Sequence, residues 1–200
     1  MKEKFDCLVK ILLIGDSGVG KSCILESFEK GSFRVNHVPT IAIDFSVKIV
    51  KIGDQLVKMQ VWDTAGQERF NTLTASFFKA THGILLTFSL TDKNSFANTS
   101  KWLQQIHAQA PKNAIIFLVG NKKDLEAERQ VTREEAENAA KEYGVEYFET
   151  SACTGEGVNE TFMSLGTKAL GNIDRSSIKP ATDDLLDARS SSIKDKCCSN

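Results

Sequence analysis

Residues 15–22, with the sequence GDSGVGKS, have the types and spacing that could hold phosphate groups, because they fit the pattern G-x-x-x-x-G-K-[ST]. The glycines would let backbone N–H groups approach phosphate oxygens, Lys21 would reach the terminal phosphates, and the Ser22 hydroxyl could ligate Mg²⁺. A glycine-rich turn could match this pattern by chance. Here, however, a predicted strand precedes residues 15–22 and a predicted helix follows them, which is the context expected of a phosphate-binding loop. The residues expected to contact phosphate in this loop are Gly15, Asp16, Ser17, Gly18, Val19, Gly20, Lys21, Ser22 and Cys23.

Two further motifs could select a base. Residues 121–124 (NKKD) follow an apolar predicted strand, at the sheet edge where ligands bind in such folds. The Asp124 carboxylate can accept hydrogen bonds from guanine N1–H and N2–H₂, whereas adenine presents a lone pair at N1. A site built on such polar pairing can favour guanine over adenine by a factor of roughly 10⁴. Residues 150–152 (TSA) follow the last predicted strand and could offer a backbone N–H to guanine O6. NKKD alone could be a charged turn, but its position between the phosphate loop and TSA predicts guanine binding through Asn121, Lys122, Asp124, Ser151 and Ala152.

A motif at the end of another predicted strand could support hydrolysis. In residues 63–67 (DTAGQ), Asp63 could hold Mg²⁺ through water, the Gly66 N–H could reach a γ-phosphate, and Gln67 could orient an attacking water. Thr40 could ligate the same Mg²⁺ by its hydroxyl, or it could simply start a strand. No arginine in these motifs is placed to stabilise the transition state, so a partner protein is expected to supply one. The expected reaction is phosphoryl transfer from GTP to water.

The elements that must position these motifs can be predicted from hydrophobic patterning. Apolar runs predict strands over residues 8–14, 43–52, 56–62, 84–90, 114–119 and 145–148, and Gly53-Asp54 predicts a hairpin between the second and third. Helical patterns lie between the strands: Phe96, Leu103 and Ile106 share one face, Thr132 can cap residues 134–143, and Val158, Phe162, Leu165 and Ala169 have helical spacing. The pattern predicts an α/β fold with a mostly parallel six-stranded sheet, one antiparallel edge strand and helices on both faces.

Composition excludes several classes of protein. Among 200 residues, 25 Lys and Arg nearly balance 26 Asp and Glu, and we find no basic patch, so no nucleic-acid partner is expected. No apolar run approaches the ~18 residues of a membrane span, and the first residues lack the apolar region of a secretory signal. The five cysteines show no metal-ligand spacing, which favours a reducing compartment. Residues 172–200 carry few large apolar side chains, so we expect a globular domain over 1–171 and a flexible tail over 172–200.

In family order, the motifs GDSGVGKS, Thr40, DTAGQ, NKKD and TSA resemble those of Ras-superfamily small GTPases, and within them the Rab family, over about residues 4–170. The resemblance implies a monomeric P-loop domain that acts as a GTP/GDP switch in vesicle traffic. It also implies that Phe33 stacks on one face of guanine while Lys122 packs on the other. The chain departs from the Rab pattern at Ala42 (usually Gly), at 77–80 (FFKA, usually a Tyr pair and Arg-Gly) and at Cys153 (commonly Lys), which leaves its partners open.

Rab resemblance also implies an effector surface, a lipid anchor and a set of partners. The implied effector residues are Ile41, Ala42, Ile43, Asp44, Phe45, Trp62 and Phe77, although the aromatic ones could simply pack in the core. Cys197 and Cys198 resemble the Rab double-cysteine ending with two geranylgeranyl groups, but could be idle thiols; one lipid alone would anchor weakly. The implied location is the cytoplasmic face of secretory or endosomal vesicles, in exchange with the cytosol. The implied partners are an exchange factor, a GTPase-activating protein, effectors and a prenyl-delivery chaperone or GDP-dissociation inhibitor.

Two other functions must be weighed against a GTPase switch. A metabolic P-loop kinase would need a second substrate pocket and lid arginines, and the guanine motifs argue against it. A binding-only switch would have no need of Gln67. Other branches of the superfamily fit less well, because Lys2 is not the glycine that N-myristoylation requires and residues 125–131 leave no room for a Rho-type insert.

Overall fold

Strands and helices alternate along the chain. A computed structural model describes residues 4–31, 44–63 and 78–173, with only the backbone of Asp44, and the structural statements below concern these ranges. The strands are β1 Cys7–Ile14, β2 Asp44–Ile52, β3 Gln55–Asp63, β4 Gly83–Ser89, β5 Ile115–Asn121 and β6 Glu146–Glu149. The helices in these ranges are α1 Lys21–Lys30, α2 Lys93–Ala97, α3 Thr99–Gln109, α4 Arg133–Tyr143 and α5 Val158–Asn172, with a 3₁₀ turn at Glu126–Glu128.

The six strands form one sheet in the order β2-β3-β1-β4-β5-β6. β2 pairs with β3 in antiparallel register, through the hairpin that Gly53-Asp54 predicts, and every other pair is parallel. The predicted sheet, mostly parallel with one antiparallel edge strand, is therefore confirmed.

Side chains of the central strand alternate between two hydrophobic cores, because successive residues of a strand point to opposite faces. Val9, Ile11 and Leu13 of β1 pack in a core with α1 and α5. Leu12 and Ile14 pack on the other face, in a core with α3 and α4. Since β1 is buried on both faces, it is a nearly continuous apolar run, as is typical of parallel sheets.

Two of the predicted helices are confirmed in detail. Thr132 caps α4 through a capping box, in which its hydroxyl accepts from the Glu135 N–H and the Glu135 carboxylate accepts from the Thr132 N–H. In α5, all four residues that the helical spacing predicts are buried: Val158, Phe162, Leu165 and Ala169. None of the helices within the described ranges has the length and hydropathy needed to cross a lipid bilayer.

The pattern around Phe96 predicts one helix, but the structure has two, α2 and α3, which meet at Asn98. The Asp92 carboxylate caps the first by accepting from the N–H groups of Asn94 and Ser95, at 2.9 and 3.3 Å. The Asn98 side chain does not cap α3 but donates to Asp16, 2.7 Å away. The Asn98 side chain therefore bonds a residue 82 positions away in the sequence, a contact that helical spacing cannot report.

The predicted motifs meet at the carboxyl edge of the sheet. Gly15 follows β1, Asp63 ends β3, Asn121 ends β5, and residues 150–152 follow β6. Because the parallel strands β1, β3, β5 and β6 all end at this edge, the fold brings together loops that lie far apart in the sequence.

Candidate functional site

The phosphate loop is built on two glycines that no other residue could replace without strain. Gly15 has a φ of +144°, and a Cβ added there would lie 2.0 Å from the Thr87 carbonyl oxygen. Gly20 has a φ of +96°, and its Cβ would lie 2.4 Å from Nδ2 of Asn121. The loop is thus packed directly against the ends of β4 and β5, so that its backbone is fixed in position.

Lys21 begins α1 and lies almost wholly buried, with 4% of its surface exposed. Its ammonium group donates to the carbonyl oxygens of Gly15 and Asp16, at 2.9 and 2.7 Å, and so bridges the loop. Gly20, the N-cap, provides no side-chain cap for the first N–H groups of α1. A buried cation beside an uncapped helix N-terminus is well suited to bind phosphate.

Cys23 lies in the first turn of α1, where burial raises the pKa of its thiol.

Two oxygen-bearing side chains lie together beside this loop. The Ser22 hydroxyl donates to the carboxylate of Asp63, which is 1% exposed. A hydroxyl and a carboxylate are hard oxygen ligands of the kind that Mg²⁺ prefers, so these residues fit the predicted ion.

Asn121 joins three loops of the site. Its Nδ2 donates to the Val19 carbonyl at 2.9 Å, and its Oδ1 accepts from the Thr150 hydroxyl at 3.2 Å and the Ala152 N–H at 3.1 Å. The residue is 1% exposed. Asn121 was predicted as a guanine contact, and in this structure its amide holds the phosphate loop and the TSA loop together. In the TSA loop, which is predicted to offer a backbone N–H to guanine O6, the N–H of Ala152 donates to Asn121.

Asp124 and Ser151, predicted from separate motifs to bind guanine, are in contact. The Ser151 hydroxyl donates to Oδ1 of Asp124 at 2.5 Å. The adjoining backbone is also paired, because the Lys123 N–H donates to the Thr150 carbonyl at 3.1 Å. Between them, Lys122 has a φ of +69°, which few residues other than glycine adopt. The structure therefore brings together the NKKD and TSA loops and holds the Asp124 carboxylate by one of its oxygens.

Behind these loops lies an ion pair that the sequence reasoning missed. The Arg129 guanidinium donates to both carboxylate oxygens of Glu149, at 3.1 and 3.2 Å, and the Tyr147 hydroxyl donates to Oε1 of Glu149 at 2.9 Å. Burial alone would raise the pKa of the Glu149 carboxyl, but hydrogen bonds from Arg129 and Tyr147 outweigh it and hold that pKa below its ordinary value. The pair ties the chain after NKKD to the residue before TSA.

The Asp16 side chain is hydrogen-bonded to helix α3 and to the residue that precedes it. Its carboxylate accepts from Nδ2 of Asn98 at 2.7 Å and from Nε1 of Trp102 at 2.6 Å. The sequence pattern predicts that Asp16 contacts the phosphates, but it predicts neither of these two partners. One signal was available: a tryptophan on a helix with a buried face usually needs a partner for its indole N–H.

Of the predicted effector residues, two are described with their side chains. Phe45 and Trp62 face each other across β2 and β3, with ring centroids 4.8 Å apart. Phe45 is 41% exposed, so it is not an ordinary core residue. Other predicted site residues lie outside the described residues: Phe33, Thr40, Ile41, Ala42, Ile43, Gly66, Gln67, Phe77, Cys197 and Cys198, together with the side chain of Asp44.

Comparisons with known proteins identify the family of this chain. The sequence profile of the Ras family matches residues 10–171. The chain is 43% identical to Ras-related protein Rab-13 of Rattus norvegicus, over 92% of this chain and 93% of that protein. It is 40% identical to Ras-related protein RABE1e of Arabidopsis thaliana, over 99% and 95% of the two chains, and 41% identical to Ras-related protein Rab-15 of Homo sapiens, over 82% and 78%. The chain therefore belongs to the Rab family of small GTPases, GTP-hydrolysing switches that act in vesicle trafficking.

Proposed function

We propose that GTP and GDP bind at the carboxyl edge of the sheet, with the phosphates held by residues 15–23 and the base by the NKKD and TSA loops. This assignment rests on the hydrogen bonds of the Asn121 amide, which join the phosphate loop to the TSA loop. In this arrangement Asp124 and the loop of Ser151 and Ala152 recognise guanine, between the Phe33 ring and the Lys122 side chain.

The metal in this proposal is Mg²⁺, held by Ser22 and Thr40 directly and by Asp63 through water. When bound, it would neutralise charge on the β- and γ-phosphates. Gln67 orients the attacking water, and a GTPase-activating protein supplies an arginine worth roughly 10³–10⁵ in rate. Thr40 and the Gly66 N–H contact the γ-phosphate, so that GTP and not GDP fixes the two segments that carry them.

Replacing Asp63 with Asn tests the metal site. Because Asp63 acts on the ion through water, the Mg²⁺ concentration that half-maximally slows GDP release should rise about 10–100-fold. The measurement is dissociation of a fluorescent GDP during a Mg²⁺ titration ending in EDTA. Asp54→Asn, in the exposed β2–β3 turn, makes the same chemical change away from the site and should leave the titration unchanged. An unaltered Mg²⁺ dependence in Asp63→Asn would remove Asp63 from the proposal.

Effectors of this switch would dock on an aromatic surface centred on the exposed Phe45 and its neighbour Trp62. Its other members are Ile41, Ala42, Ile43, Asp44 and Phe77. Family membership implies regulators and effectors as partners. More specifically, we assign to this chain an exchange factor, a GTPase-activating protein and a GDP-dissociation inhibitor or delivery chaperone.

The proposed membrane anchor is a pair of geranylgeranyl groups on Cys197 and Cys198, placing the protein on the cytoplasmic face of secretory or endosomal vesicles. The side-chain charges of the segment 172–200 cancel, with five Lys and Arg against five Asp. It therefore offers little electrostatic attraction to anionic lipids, and a second lipid must provide stable anchoring.

Changing either cysteine to Ser should leave a protein that dissociates readily from membranes, and changing both should release it fully, with nucleotide binding intact. One lipid gives only reversible binding, at about 0.8 kcal/mol per buried CH₂. Membrane fractionation and mass spectrometry of the tail peptide from a eukaryotic host measure this, with Ser199→Ala as the control. A single lipid with full membrane retention would contradict the proposal.

A further inference from the structure

We propose that Asp16, Asn98 and Trp102 form a clamp that holds the phosphate loop against helix α3 and sets the rate at which nucleotide leaves the site. In this clamp Asn98 and Trp102 are positioning residues, because they act on the nucleotide through Asp16. The inference rests on the proposed contact between residues 15–23 and the phosphates.

Each oxygen of the Asp16 carboxylate has its own donor on helix α3 or at its start. Nδ2 of Asn98 donates to Oδ2 at 2.7 Å, and Nε1 of Trp102 donates to Oδ1 at 2.6 Å. Both hydrogen bonds are short, as expected where the acceptor is charged. Nζ of Lys101 donates to Oδ1 of Asn98 at 3.1 Å, which sets the Asn98 amide with its NH₂ group toward Asp16. The carboxylate is thus held in a defined orientation.

The clamp acts on the same residue that positions the phosphate-binding lysine. Lys21 donates to the backbone carbonyls of Gly15 and Asp16. The Gly15 backbone is packed on the Thr87 carbonyl. A side chain that fixes Asp16 therefore also fixes the carbonyl to which the Lys21 ammonium is bound, and with it the position of that ammonium.

Helix α3 is a firm support for this clamp. Its Leu103 and Ile106 are buried in the core shared with α4. Its first residue, Thr99, is fully buried and lies 3.2 Å, oxygen to oxygen, from the Tyr143 hydroxyl of α4. Because α3 is held by the core and not by the phosphate loop, loss of the clamp would loosen the loop and leave the helix in place.

The charge of Asp16 gives the clamp a second effect. A carboxylate in a loop that binds phosphate repels the ligand unless its charge is directed elsewhere. Two N–H donors from one side hold the Asp16 carboxylate toward α3. If one donor is lost, the carboxylate is freer to turn toward the phosphates, and both the loosened loop and the repulsion favour release of nucleotide.

The test is a double-mutant cycle on GDP dissociation from the full chain. Trp102→Phe keeps an aromatic ring and removes the indole donor, so GDP release should accelerate about 10-fold, as expected for one hydrogen bond to a charged group. In an Asp16→Ala background there is no acceptor, and the same Trp102→Phe change should have almost no effect. If Trp102 served only to pack α3, the acceleration would be the same in both backgrounds.

Tyr143→Phe is the matched control, because it removes a hydroxyl that contacts α3 at Thr99 without touching Asp16. The buried Leu103 and Ile106 still hold α3 in the core, so GDP release should match that of the unmodified chain. Equal acceleration by Trp102→Phe in both backgrounds, or none in either, would overturn the clamp. Lys21→Ala tests the underlying assignment separately: unchanged GDP affinity there would contradict the phosphate site itself.

Discussion

Asp124→Asn should change the base preference of this GTPase from guanine toward xanthine. In the proposed site the carboxylate would accept from both N1–H and N2–H₂ of guanine, whereas an amide presents an NH₂ donor, which suits the O2 oxygen of xanthine. A site that loses a matched polar pair can lose roughly 10⁴ in discrimination. The amide oxygen can still accept the Ser151 hydroxyl that now bonds Oδ1 of Asp124, so the loop should keep its geometry.

Competition of GTP, XTP and ATP against a fluorescent GDP measures this change. Glu156→Gln is the matched control, since it replaces an acid by its amide in the adjoining loop, at an exposed ion pair with Lys123. The control should keep its preference for GTP. If Asp124→Asn also keeps that preference, Asp124 does not recognise the base.

Of the substitutions that would break one of the ion pairs described here, Arg129→Ala should cause the largest loss of stability. The Arg129 and Glu149 side chains are 16% and 6% exposed, so the change leaves a buried carboxylate without its main partner. Breaking a buried pair from one side typically costs about 3–5 kcal/mol. Urea unfolding at a fixed excess of GDP measures the loss, because bound nucleotide itself stabilises the folded state.

Arg133→Ala is the control, because Arg133 and Glu137 form an ion pair with side chains 68% and 43% exposed. Such surface pairs contribute about 0–1 kcal/mol. A loss below 1 kcal/mol for Arg129→Ala would contradict a structural role for the buried pair.

The Arg129 pair also predicts a pH dependence. The pKa of the Glu149 carboxyl is lowered in the folded state, so the stabilisation is complete above the unfolded value, about 4.3. It is lost as the pH falls through the lower folded-state pKa. The difference in stability between Arg129→Ala and the unmodified chain should therefore shrink in acid.

The strands could be predicted from the sequence almost residue by residue. Strand bounds agree within two residues, because β1 and β4 are buried on both faces and read as continuous apolar runs. The break between α2 and α3 at Asn98 could not be predicted, because the apolar spacing of Phe96, Leu103 and Ile106 fits one continuous helix.

The residues of the site were easier to predict than their interactions. Motif spacing predicts that Asp124 and Ser151 belong to one site, and in the structure the Ser151 hydroxyl donates to Asp124. It did not indicate that the amide of Asn121 would bond three protein groups, or that Arg129 would pair with Glu149. These pairings join segments 20 to 102 residues apart, and only the folded sheet makes them neighbours.

The central place of β1 in the sheet has a consequence for synthesis on the ribosome. β1 is translated before both of its partners: Cys7 pairs with Val57, and Ile11 with Gly83. At about 5–20 residues per second, the 50 residues between Cys7 and Val57 take about 2.5–10 s to add. During this time the apolar run of β1 emerges with no strand to pair with, whereas the β2–β3 hairpin can close locally. The nascent chain therefore spends a defined interval with this buried strand unpaired.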